Sequence, residues 1–201
     1  SSENSYPYSQ VMLIPLSNGR FLLLYTDDAL SRGDADRSAL RACIGTQTDG
    51  DVQWGVPVTV EDDGTGDYGF HAAVSGDRVA VVWQDATNTF GNGQGLTPAD
   101  AARQVVLSET ILDCSGEMPV AGAVAAVSSE GSYPYYPTIY YDGDRVRTGW
   151  VTTSNPDPSV YTEDEVETLW LSEGFGNPGA AVAEGQKSIR GTALIRDSFL
   201  W

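Results

Sequence analysis

A single pattern recurs three times in this 201-residue chain and restricts its fold more than any other feature. It reads Asn18-Gly19-Arg20-Phe21-Leu22-Leu23-Leu24-Tyr25, then Gly76-Asp77-Arg78-Val79-Ala80-Val81-Val82-Trp83, then Gly143-Asp144-Arg145-Val146-Arg147-Thr148-Gly149-Trp150. Each copy is a turn, an arginine and an aromatic five residues further on, and the arginines are spaced by 58 and 67 residues. After each comes another β-rich run, at Ala39 to Cys43, Gln104 to Ser108 and Thr168 to Ser172, and then a proline at Pro57, Pro119 or Pro178. The tetrapeptide Ser-Tyr-Pro-Tyr precedes the first and third copies, at Ser5 to Tyr8 and Ser132 to Tyr135. A unit repeated this way buries its faces against its neighbours.

The runs are short, rich in Val, Ile, Tyr, Trp and Thr, and separated by Gly, Asp, Asn and Ser clusters. That is the pattern of an all-β chain of antiparallel strands. Four such strands in about 60 residues make one blade of a β-propeller. The chain therefore reads as one propeller segment over 1–201, with blades at 6–61, 67–127 and 133–184 and a partial fourth at 189–201. Propellers close with 4–8 blades, so an incomplete ring is expected, completed by further blades of the same parent protein or by a second copy. One short helix is expected at Thr97 to Arg103, where Thr97 can cap and Pro98 can open a first turn.

Charge narrows the function. With 11 Lys+Arg against 28 Asp+Glu the net charge is -17, which excludes a nucleic-acid backbone as partner and disfavours anionic membrane surfaces. Apolar runs such as Val11 to Ile14 are strand-sized, so no membrane insertion is expected. The lone His71 rules out a site built on two imidazoles. Cys43 and Cys114 fit no metal spacing, and a disulfide between them stays open. No secretory leader is legible at Ser1 to Ser5, consistent with a cleaved leader or an excised piece.

Among residues that could carry chemistry, the repeated Arg20, Arg78 and Arg145 read as architecture, because a once-per-blade feature serves the blade. Tyr25, Trp83 and Trp150 read as packing between blades for the same reason. Asp27, Asp28, Asp34, Asp36 and Asp85 are candidate carboxylates. Asp27 and Asp85 follow the aromatics Tyr25 and Trp83 by two residues, so they could converge on one face. Glycoside hydrolysis needs two carboxyls about 5–10 Å apart; the competing role is turn capping. The run Glu61-Asp62-Asp63-Gly64-Thr65-Gly66-Asp67 offers oxygen ligands for Ca²⁺, but a solvated acidic linker is the expectation, and no cofactor is expected. Tyr6, Tyr8, Tyr133, Tyr135, Tyr136, Tyr140 and Tyr141 could stack on sugar rings, with Tyr8 and Tyr135 the chosen candidates beside Asp27, Asp36 and Asp85.

The segment from 8 to 58 resembles the opening of sialidase-like propellers built from Asp-box repeats. Gln47-Thr48-Asp49-Gly50-Asp51-Val52-Gln53-Trp54 keeps the box's Asp and Trp at Asp49 and Trp54, and Gly55-Val56-Pro57-Val58 continues it. The resemblance implies a propeller, secretion or surface display, and carbohydrate as ligand. In members that are sialidases it would also imply an arginine triad, a Tyr/Glu nucleophile pair and an Asp acid/base. Asp34, in Gly33-Asp34-Ala35-Asp36, is the closest match to that Asp and the catalytic candidate. The first triad arginine is absent: its position falls on Ser9 or Leu13. The reading is therefore a non-catalytic secreted or cell-surface module that binds glycan or protein. The alternatives are a glycoside hydrolase whose site lies partly outside this chain and a structural repeat module of a larger surface protein.

Overall fold

The computed structural model describes residues 10–200 apart from 30, 34–35, 91–102, 130, 156, 158–161, 163–164, 188, 190–192 and 196–197. Tyr8, Asp34 and the expected helix from Thr97 as far as Ala102 lie outside the described residues. Strands β1 (Val11–Pro15), β2 (Arg20–Asp28), β3 (Ser38–Thr48), β4 (Asp51–Trp54) and β5 (Val58–Glu61) form the first antiparallel sheet. The second holds β6 (Asp67–Ser75), β7 (Arg78–Ala86), β8 (Val105–Asp113), β9 (Val120–Ala121) and β10 (Ala125–Ala126). The third holds β11 (Tyr135–Asp142), β12 (Arg145–Thr153), β13 (Glu167–Ser172) and β14 (Ala180–Gln186), and β15 (Ala193–Ile195) pairs with β16 (Ser198–Leu200) in a fourth. The three repeats thus fold as three successive blade-like sheets, each with its first strand at one edge.

Tight turns set the registers. Asp49 and Gly50 both take positive φ, 52° and 87°, as a two-residue Asp-Gly hairpin requires, so Thr48 faces Asp51 and Gln47 faces Val52. The fourth strand of the first two blades is broken: β4 and β5 both pair with β3, and β9 and β10 both pair with β8. Pro57 sits in the first break, where its missing N–H costs no ladder bond.

Strand alternation sends one side of each sheet toward the blade before it and the other toward the blade after it. Leu22, Leu24, Leu40 and Ile44 meet Phe70, Val79, Val81 and Trp83 in one core. Ala80, Val82 and Leu107 meet Ile139, Val146 and Trp150 in the next. A third begins with Val151, Leu169 and Ile189. Trp83 and Trp150 are therefore the expected inter-blade aromatics, 0% and 2% exposed. Trp150 stacks on Trp170 at 6.3 Å. Tyr25 departs from that expectation. It occupies the same position, but on the first sheet that side faces away from the other two, and Tyr25 lines a surface cleft with Val11, Leu23, Cys43, Trp54 and Pro57.

The arginine expectation holds at Arg20, which donates to the carbonyls of Ser17, Ser115 and Gly116 and pairs with Asp77 at 3.0 Å, joining the first blade to the second. Cys43 and Cys114 are free and buried. They cannot join, because Cys43 looks into the outer cleft of the first sheet while Cys114 sits in the core on its other side.

Candidate functional site

The antiparallel order brings the ends of β2, β7 and β12 and the starts of β3, β8 and β13, between which the long connections run, to one end of the sheets together with the linker 62–66. That end, where β6 and β11 begin, carries the candidate site.

On the boundary between the first two blades, β5 ends at Glu61 and β6 opens at Asp67, whose register partner is Asp85 near the end of β7. One oxygen of each of the three carboxyls lies within 4.8 Å of the others. The run 61–67 is only in part the solvated linker expected of it: Asp62 and Asp63 are exposed, while Thr65, Gly66 and Asp67 are buried. Burial, followed by the charge of Glu61, pushes the Asp67 carboxyl up to about 10. Burial lifts Asp85 to about 6 against the opposing hydrogen bond from Ser108, 2.5 Å, and also raises Glu61. No N–H or O–H among the described residues reaches either Asp67 oxygen or Glu61 Oε2. The linker is pinned around them. The Asp63 amide donates to Glu61 Oε1 at 2.7 Å, the Thr65 amide and hydroxyl donate to Asp63, and the Ser38 hydroxyl donates to the Asp67 carbonyl. Arg32 reaches the Thr65 carbonyl at 2.7 Å and pairs with Asp62.

The other candidate acids are placed apart from this cluster. Asp27 pairs with Arg41 at 3.0 Å, and Asp28 takes a two-point contact from Arg37 at 2.7 and 2.6 Å. Asp36, 3% exposed, accepts the Phe90 amide at 2.8 Å and ties two connections together. Asp27 does not converge with Asp85. Equivalent positions on successive blades each face their own preceding blade, so the first sheet separates the two.

Between the second and third blades, Gln84 donates to the Pro134 carbonyl at 2.7 Å and fixes the start of β11. Tyr133 and Tyr135 stack there at 5.9 Å, and Tyr135 meets Tyr136 edge-on at 5.0 Å. The Tyr135 hydroxyl donates to Glu167 Oε1 at 2.7 Å, while Glu167 Oε2 accepts the Ile189 amide. Burial and the Glu167 hydrogen bond hold the Tyr135 phenol well above its ordinary range. Tyr135 and Glu167 thus stand as a hydroxyl and a carboxylate within hydrogen-bond reach, with the second Glu167 oxygen held by the Ile189 amide.

The backbone here is unusual. The first strands of the second and third blades carry a β-bulge at the same place, Tyr68 to His71 in β6 and Tyr135 to Thr138 in β11. The second blade meets the left-handed turn with Gly69 at φ 51°; the third meets it with Tyr136 at φ 49°, and Tyr133 is left-handed too, at 39°. A non-glycine side chain there costs about 1 kcal/mol or more, and the Tyr136 ring is 45% exposed. Sequence reasoning reached Asp85 and Tyr135 but not Glu61 and Asp67 as partners of Asp85. The acidic run from Glu61 was visible, and the strand register that folds it onto β7 was not.

The sequence matches no protein-family model and no curated protein. Among solved structures, the chain is similar to a mutant α-L-arabinofuranosidase from Fusarium graminearum in complex with an iminosugar inhibitor. The TM-score is 0.51 at 10% identity, over 88% of this chain and 49% of that one, so the chain spans about half of that protein's length. The likeness is one of fold: three antiparallel sheets of four or five strands with a β-propeller as structural neighbour.

Proposed function

We propose that this chain is part of a secreted or cell-surface β-propeller, related to the sialidase-like group, that binds a glycan at the end bearing the long connections without turning it over. The observation that carries this is Tyr136: an exposed aromatic kept in a left-handed bulge where the equivalent bulge of the preceding blade uses glycine. Strain retained at one position marks a site whose side chain is needed, and an exposed ring beside Tyr133 and Tyr135 suits the apolar face of a sugar. The paired or bonded states of Asp27, Asp28 and Asp36 support binding over catalysis. No helix of the described residues is long and apolar enough to cross a membrane.

The outward side of the first sheet, with Val11 68% and Leu13 56% exposed, supports a further blade of the same parent protein packing there, because the aromatic at Tyr25 repeats the inter-blade position. Light scattering checks this: a monomer of the isolated chain agrees, and a stable dimer points to a second copy instead.

A glycan array with the chain and its Tyr136→Gly variant tests the binding reading. Glycan binding lost in the variant supports it, and a chain that binds no glycan contradicts it. The second reading, a glycoside hydrolase with part of its site on other blades, draws on the neighbouring structure being an arabinofuranosidase. Turnover of aryl glycosides that is abolished by Asp34→Asn would favour it.

A further inference from the structure

We propose that Glu61, Asp67 and Asp85 together bind one divalent cation of the calcium type between the first and second blades. Ligands of one Ca²⁺ each lie about 2.3–2.6 Å from it, so two of them can be up to about 5 Å apart. One oxygen from each of these three carboxyls meets that limit with every other, within 4.8 Å. Proximity of acids alone would not suffice. The second observation is the orphaned state of Asp67, a fully buried side chain that offers one oxygen to the cluster and whose two oxygens meet no N–H or hydroxyl donor among the described residues.

Buried acceptors of this kind are ordinarily satisfied, and like charges brought together out of water repel unless a positive charge lies among them. The charge of Arg32 is felt at Glu61, but its hydrogen bonds and ion pair among the described residues go elsewhere. Arg32 directs its donors to the carbonyls of Thr65 and Asp36 and to Asp62. A proton shared by Asp67 and Glu61 would satisfy one oxygen of each and leave the other Asp67 oxygen bare. A cation at the centre of the cluster reaches all three carboxyls at once. The donor set is oxygen only, with no imidazole or thiolate, which selects a hard ion. Asp85 is held in place for this by the Ser108 hydroxyl on Oδ2 at 2.5 Å, and the Thr65 hydroxyl approaches its Oδ1 at 3.5 Å.

The three ligands come from the end of β5, the start of β6 and the end of β7. A bound ion would therefore clamp both ends of the linker 62–66 and fix the first blade against the second. This inference stands independently of the glycan reading.

The test uses the whole chain, stripped with EDTA and titrated with CaCl₂ by calorimetry, with thermal melts in parallel. One ion per chain is expected, with the Tm raised by about 5 °C or more at 100-fold excess over Kd. Asp67→Asn removes the buried charge at constant shape. It is expected to lose stoichiometric binding while melting in EDTA at or above the wild-type temperature. Asp144→Asn, a turn residue elsewhere, is expected to bind as the wild type does. The proposal is overturned if millimolar Ca²⁺ gives neither heat nor a Tm shift, or if binding survives Asp67→Asn. Should Asp67→Asn fail to fold, Glu61→Gln and Asp85→Asn take its place, and undiminished binding in both would overturn the proposal equally.

Discussion

Glu109 is a fastening between the second and third blades whose removal should be costly and whose neutralisation should not. It is 1% exposed, on the side of β8 that faces β12. It accepts the Thr148 hydroxyl at 2.6 Å on Oε2 and the Gly176 amide at 2.6 Å on Oε1. Glu109→Ala strips both donors of their acceptor in a dry interface, at about 1–3 kcal/mol each, and leaves a small void. Relief of the buried charge offsets part of this, so a net loss of about 3–5 kcal/mol is expected. Glu109→Gln keeps the shape. Its carbonyl can accept from Gly176 and its amide can donate to the Thr148 oxygen, so a change within about 1 kcal/mol is expected. The pH dependence has a definite sign. Burial raises the Glu109 carboxyl above its ordinary 4.5, so the folded state holds that proton more tightly than the unfolded chain. Wild type should therefore gain on Glu109→Gln as pH falls through the raised value toward 4.5, and lose that gain as pH rises again. Urea unfolding followed by tryptophan fluorescence at pH 7 and pH 5 measures all of this. The reasoning fails if the alanine variant lies within 1 kcal/mol of wild type, or if glutamine costs as much as alanine.

Three further outcomes follow from the packing. Trp83→Ala should lose about 3–5 kcal/mol, because Trp83 is fully buried between blades, whereas Trp54→Ala, at a residue 45% exposed, should lose about 1 kcal/mol or less; chemical denaturation compares them. Gly179→Ala would place a Cβ 2.2 Å from the Trp150 ring, so that ring must shift, and a Tm drop corresponding to about 1–3 kcal/mol is expected. Titration with a thiol reagent should count both cysteines in denaturant without reductant. Cys114 should react slowly in the native state, where burial pushes its thiol up to about 12.

The fold was legible because its signals are local and repeated. The Arg-to-aromatic spacing places Trp83 and Trp150 at corresponding points of successive sheets, and the Asp49-Gly50 turn fixes a register without outside help. The site was legible only in pieces. Asp85 stood out by its spacing from Trp83, and the run from Glu61 by its composition. Their meeting depends on Asp67 lying opposite Asp85 across two strands, which no single stretch of sequence states. Equal spacing also misled: Asp27 and Asp85 share a blade position, but that position points each toward a different neighbour. Tyr136 was one of many tyrosines until its left-handed φ set it apart.

The central claim rests on that residue. The most direct measurement is the affinity of the chain for glycans identified on an array, compared with that of Tyr136→Gly. Glycine relieves the strained backbone, as Gly69 does in the preceding blade, while removing the ring. The account predicts a Tm equal to or above wild type together with glycan affinity reduced tenfold or more, taking the ring's contact as about 1.4 kcal/mol or greater. Unchanged affinity in Tyr136→Gly, with the fold intact, would contradict it.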